Sequence, residues 1–173
     1  MIAGVPNILN APILIVDDRE SNLSLLAQIL SEEGYTRITT TTNPQEVCAL
    51  HLRNRYDLIL LDLQMPGMDG FQVMEDLKTN EFESYLPVIV LTAQPAHRLR
   101  ALRAGAKDFI SKPFELIEVT TRIHNMLEVR MLYRQLESYN EALERERESR
   151  CRSPDEPAPD RHSSLQWIGL PPI

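Results

Sequence analysis

The chain has 173 residues, of which 43% are hydrophobic, and a formal net charge of -7; this suits one domain of ordinary size with an appendage and is too short for two full domains. The acidic balance excludes a binder of the nucleic-acid backbone, which needs a clustered basic patch, so no direct nucleic-acid contact is expected. Cys48 and Cys151 are too few and too far apart for a disulfide framework, and no apolar run reaches the ~18 residues of a membrane span, so a cytoplasmic protein without membrane insertion is expected.

Residues 1–11, with Gly4, Pro6 and Asn10, read as an irregular lead-in to the apolar run Ile13, Leu14, Ile15, Val16, the first predicted strand. It ends in Asp17 and Asp18. Leu23, Leu25, Leu26, Ile29 and Leu30 then recur at helical spacing until Gly34 stops the helix. One acid at the head of such a helix also serves as an ordinary N-cap. The stretch through residues 36–42 is β-branched but weakly apolar, which suits a strand near a sheet edge. Asn43 as cap, Pro44 at the first helical position and Glu46 completing a capping box announce the next helix, with Val47, Leu50 and Leu52 turned inward.

Leu58 to Leu61 form an apolar block too short for a helix, the pattern of a strand buried on both faces, and it delivers Asp62 at its C-terminal end. Pro66, Gly67 and Gly70 supply the turn, and Phe71, Val73, Met74 and Leu77 suit a helix that buries one face. The run Val88 to Leu91 ends in Thr92. A helix with Leu99 and Leu102, closed by Gly105, leads to a fifth short strand around Phe109 and Ile110, just past which lies Lys112. Strands alternating with helices at this spacing predict βαβ units: a doubly wound, five-stranded parallel sheet of the α/β class, covered by helices on both faces, over about residues 12–127.

Because parallel strands end on one side, Asp17, Asp18, Asp62, Thr92 and Lys112 converge at one rim, where ligands of open α/β sheets bind. Crowded carboxylates repel each other and call for a divalent cation, and an all-oxygen donor set favours Mg²⁺. A carboxylate is also a competent phosphoryl acceptor. Phosphoryl transfer needs a nucleophile, a metal and donors for the developing charge, the parts that Asp62, Mg²⁺, Thr92 and Lys112 would supply.

The motifs ILIVDD, LILLDLQMPGMDG, VIVLTA and DFISKPF, in this order and at these spacings, closely resemble the CheY-like receiver domains of two-component response regulators over residues 12–127. The resemblance implies a flavodoxin-like receiver fold. It implies that Asp62 accepts a phosphoryl group from a histidine kinase, a phosphotransfer protein or a small phosphodonor. Asp17, Asp18, Asp62 and the backbone carbonyl of Gln64 would hold Mg²⁺. Thr92 would bond the phosphoryl group and Lys112 would pair with it, with a cis bond between Lys112 and Pro113. Phe109 falls at the family's switch-aromatic position, acting with Thr92, and Gln64 and Gln94 fall where the family tunes phosphoryl lifetime. Two other readings stand beside this one. A haloacid-dehalogenase-like phosphatase also forms an aspartyl-phosphate, but its Asp-x-Asp comes first and its acid pair last, whereas here Gln64 stands two residues after Asp62. The other is a scaffold whose receiver no longer signals.

A helix beginning near Phe114 or Glu115 should bury Leu116, Val119, Ile123 and Met126 or Leu127. The helical signal then continues through residues 128–150: Val129, Leu132, Leu136, Tyr139 and Leu143 follow in steps of three and four, a coiled-coil seam through which two chains would pair as a homodimer. The prolines of residues 151–173 predict a disordered tail. A receiver followed by a long exit helix resembles the front of regulators with HD-GYP or GGDEF output domains, but no output enzyme domain is read in this sequence.

Overall fold

The structure, a computed structural model, describes residues 7–79 and 85–151; the predicted tail beyond Cys151 and the first six residues of the lead-in lie outside them. Strands β1 (Ile13–Val16), β2 (Ile38–Thr41), β3 (Leu58–Asp62), β4 (Val88–Thr92) and β5 (Asp108–Ser111) alternate with helices α1 (Glu20–Glu32), α2 (Val47–Asn54), α3 (Gly70–Thr79), α4 (Pro95–Ala104) and α5 (Leu116–Cys151). All pairings are parallel, in the order β2-β1-β3-β4-β5. The weakly apolar β2 lies at an edge, and the fully buried β3 lies in the middle, as their side chains require. Residues 8–10 of the lead-in form a short 3-10 turn.

Alternation along the strands splits the core in two. Ile13, Ile15, Leu58, Leu60, Ile89, Leu91 and Ile110 pack with Leu26 and Leu30 of α1 and with Val119, Ile123 and Leu127 of α5. Leu14, Val16, Ile59, Leu61, Val88 and Val90 point the other way, onto Val47 of α2, Val73, Met74 and Leu77 of α3, and Ala101 of α4. Each fully buried Leu, Ile or Val contributes about 1.5–3 kcal/mol relative to exposure, so the central strands fix the register of the sheet. Gly34 sits at φ 94°, in the left-handed region where a helix ends without steric cost.

Several expected contacts differ. Leu52 and Leu116, expected to turn inward, are exposed, as are Leu25, Leu99 and Leu102. The stripe facing the sheet is narrower than the apolar pattern. Among the residues of α4 only Ala101 is buried. The capping box at Asn43 forms in half: the Asn43 side chain accepts from the Gln45 N–H at 3.1 Å, but the Asn43 N–H donates to Thr41 Oγ1 at 3.0 Å, so Glu46 takes the Asn43 side-chain amide instead. Residues 44–46 accordingly form a 3-10 turn ahead of α2.

The chain divides into two compact units, residues 1–137 and 138–173. In the first, α5 is fastened to the base of β3 by charge as well as by apolar contact. Arg130 and Asp57 are each 1% exposed; Arg130 Nε donates to Asp57 Oδ1 at 3.2 Å, and Arg134 donates to both Asp57 oxygens at 3.0 and 2.9 Å. Arg130 also donates to the Tyr85 carbonyl, and the Tyr85 ring stacks on Tyr133 with centroids 4.1 Å apart. In the second unit the described residues are helical, with ion pairs Glu141–Arg145 at 3.0 Å and Glu146–Arg150 at 2.8 Å one turn apart.

Candidate functional site

The strand register delivers the site residues as a stepped rim. Val16 of β1 lies opposite Leu61, so Asp17 follows level with Asp62; Asp62 lies opposite Leu91, and Thr92 opposite Ser111, after which comes Lys112. Asp17 and Asp62 are buried and Asp18 is partly exposed. Carboxylate oxygens of all three lie within 4.8 Å of one another. The Lys112 ammonium bridges two of them, at 2.7 Å from Asp17 Oδ2 and 3.0 Å from Asp62 Oδ2. Lys112 precedes Pro113 through a cis peptide bond.

Burial pushes the Asp62 carboxyl above its ordinary value; the hydrogen bond and charge of Lys112 and the Gln64 N–H at 3.2 Å pull the other way, and the Asp17 charge raises it again. One ammonium thus faces three carboxylates. Hard oxygen donors this close fit a small divalent cation and phosphoryl oxygens, so the donor set is compatible with Mg²⁺. Gly70 keeps the head of α3 against this rim: a Cβ there would lie 2.4 Å from the Asp62 carbonyl oxygen and 2.9 Å from Leu63 Cα. Gly70 is therefore needed for close approach as well as for the turn.

Asp17, Asp18, Asp62 and Lys112 are brought together as expected. Thr92 is buried beside them, but its hydroxyl is engaged with the next loop, donating to the Gln94 carbonyl at 3.3 Å and accepting the Gln94 N–H at 3.1 Å. The side chains of Gln64 and Gln94 are exposed. Phe109 on β5 is half-buried, with the guanidinium carbons of Arg98 and Arg122 at 5.0 and 5.2 Å from its ring centroid. Sequence reasoning missed Asn22, whose side-chain amide donates to both Asp17 oxygens at 3.0 Å while the Arg19 N–H donates to Oδ1 at 3.0 Å. Its signal is an amide in the first turn after an acidic strand end.

This rim belongs to a known class. Residues 13–124 match the family model described as the response regulator receiver domain, and the chain belongs to that family. It is 35% identical over 130 residues to the response regulator PleD of Caulobacter vibrioides, covering 74% of this chain and 28% of PleD. It is 36% identical over 134 residues to the transcriptional regulatory protein HprR of Escherichia coli, covering 76% of this chain and 56% of HprR. The solved chemotaxis protein CheY4 of Vibrio cholerae aligns with a TM-score of 0.63 at 25% identity, over 68% of this chain and 98% of that one. NtrX of Brucella abortus aligns with a TM-score of 0.68 at 29% identity, over 75% of this chain and 29% of NtrX. The chain thus spans between about a quarter and just over half of the curated relatives named. Among the described residues no helix is long and apolar enough to cross a membrane.

Proposed function

We propose that this chain accepts a phosphoryl group on Asp62 from a histidine kinase or phosphotransfer protein, with Mg²⁺ present, and uses it to switch a protein-contact surface in the cytoplasm. The observation that carries the reading is the Asp62 carboxylate, buried at the end of the central strand, paired with Lys112 and faced by Asp17 and Asp18. An Asp62 oxygen forms the new O–P bond as the P–N bond of a phosphohistidine breaks, the electron pair leaving with the imidazole. Lys112 neutralises charge on the transferred group, and Thr92 donates its hydroxyl to it after leaving the Gln94 carbonyl. Asp17, Asp18, Asp62 and the Gln64 carbonyl would hold Mg²⁺, which supplies positive charge to the phosphoryl oxygens. Gln64 and Gln94, exposed beside the acceptor, tune the phosphoryl lifetime.

The switch is a population shift between two packings, in which the Thr92 hydroxyl turns toward Asp62 and the Phe109 ring fills the space it leaves, remodelling the face of α4, β5 and α5. A homodimer through α5 is the second part of the proposal. Val129, Leu132, Leu136, Tyr139 and Leu143 are 39–66% exposed, apolar surface that a parallel helix pair would cover. The receiver family weighs against the phosphatase reading, and the retained acids, Thr92 and Lys112 weigh against a silent scaffold.

Incubation with acetyl phosphate and Mg²⁺ should add one phosphoryl group by intact mass. Asp62→Asn, or chelation of Mg²⁺, should abolish the addition, and persistence in either case overturns the assignment.

A further inference from the structure

We propose that Arg98 and Arg122 form a guanidinium clamp on Phe109 that holds the ring partly exposed and sets the resting position of the switch. The inference rests on the switch reading above and adds the residues that bias it.

Both guanidinium carbons lie over the ring, at 5.0 Å for Arg98 and 5.2 Å for Arg122, within the range where a cation is attracted to an aromatic face. Neither is free to drift. Arg98 donates to Ser111 Oγ on β5 at 2.9 Å. Arg122 donates to both Asp108 oxygens at 2.7 and 2.8 Å and to Glu118 at 3.0 Å. These bonds tie one cation from α4 and one from α5 to the strand that carries Phe109.

The packing of α4 gives the clamp its leverage. Ala101 is the helix's one buried residue, while Leu99 and Leu102 are 57% and 39% exposed. Apolar burial therefore anchors α4 weakly. Its cations compensate on both flanks: Arg98 over Phe109, and Arg100 over the Phe71 ring of α3 at 3.9 Å, with His97 edge-on to the same ring at 6.3 Å. Arg98 also pays a cost for its place, because its Nε is buried without a hydrogen-bond partner. An arginine placed to satisfy its own N–H groups would not leave one empty, so the ring contact is a better account of where it sits.

The inward move of Phe109 requires the ring to leave both guanidiniums. Each cation–π contact at a partly exposed site corresponds to about a 2- to 5-fold bias, so the clamp shifts the resting equilibrium toward the outward ring by on the order of tenfold. Arg98 and Arg122 are positioning residues, acting through Phe109 and never touching the phosphoryl group.

The test uses the full chain with a fluorinated phenylalanine at 109 and beryllofluoride with Mg²⁺ as the phosphoryl mimic. In Arg98→Gln the fluorine resonance of the mimic-free protein should move toward its mimic-bound position, and its solvent isotope shift should shrink. The mimic midpoint should fall about 2- to 5-fold. In a Phe109→Leu background the same substitution should leave the midpoint unchanged, since the ring it acts on is gone; Arg122→Gln, which also breaks the Asp108 pair, should act in the same direction as Arg98→Gln. A mimic-free resonance and isotope shift equal to wild type in Arg98→Gln, or an equal midpoint change with and without the ring, overturns the clamp. Failure of wild type to bind beryllofluoride, or equal binding by Asp62→Asn, overturns the phosphoacceptor reading instead, and the mimic-free fluorine spectra still decide the clamp.

Discussion

Replacing Asp57 by Asn removes the carboxylate that faces Arg130 and Arg134 at the base of β3. The two pairs differ in weight. The Arg134 side chain is 53% exposed, and a pair of that kind is worth about 0–1 kcal/mol after solvent screening. Arg130 is almost wholly buried with Asp57, and breaking a buried pair by removing one partner costs about 3–5 kcal/mol, because the remaining charge stays in a medium that cannot solvate it. Against a typical stability of ~5–15 kcal/mol, the loss takes a large share and lowers Tm by roughly 10–20 °C for a unit of this size. Urea unfolding followed by circular dichroism reads the cost as a lower midpoint at unchanged slope. Arg134→Ala should cost less than about 1 kcal/mol, and a joint Asp57→Leu, Arg130→Met chain should recover most of the loss, since both charges are gone. A penalty below about 1 kcal/mol for Asp57→Asn, or one matched by Arg134→Ala, would refute the assignment of the anchor to the buried pair.

Asp62 has a raised carboxyl in the folded chain, so its contribution to stability is full below the ordinary carboxylate value near ~4 and is lost as pH rises through the raised value. Metal-free Asp62→Asn should therefore melt higher than wild type at neutral pH, with the gap closing in acid; a lower melting point at pH 7 contradicts this. Mg²⁺ should stabilise wild type by about 1.4 kcal/mol at ten times its Kd, and thermal melts of Asp18→Ala should show a much smaller gain while keeping the fold. Leu136→Glu would place a carboxylate in the middle of the proposed helix pair at a cost of several kcal/mol, so sedimentation equilibrium should show a dimer for wild type and a monomer for the variant. A wild-type monomer at high concentration, with and without beryllofluoride, removes the dimer.

The fold was legible because β1, β3 and β4 are apolar blocks of four or five residues that run into the side chains the site needs, Asp17, Asp62 and Thr92. Periodicity fails where two stripes share one helix. On α5 the stripe that faces the sheet runs Val119, Ile123, Leu127 and continues onto Arg130 and Arg134, while the eye follows the exposed Leu132 and Leu136. An arginine on the buried stripe was itself the sign of a buried carboxylate, and Asp57, flanking the most apolar strand, was its match. Asn22, Arg98 and Arg122 escaped for another reason: they act through tertiary contacts at Asp17 and Phe109 that no local pattern encodes. Leu52 and Leu116, exposed where burial was expected, misled in the opposite sense, since spacing reports which residues share a face and not whether anything covers it.

The anchor at Asp57 also says where this chain tolerates a junction. The receiver pattern ends at residue 124, yet the cations that neutralise Asp57 stand at 130 and 134. A fragment trimmed to the pattern would bury a carboxylate with no counter-ion, and a chimera spliced there would exchange the anchor for whatever side chains the new module happened to bring. Shortened or recombined versions of this receiver should keep α5 through Arg134, or replace Asp57 in the same step.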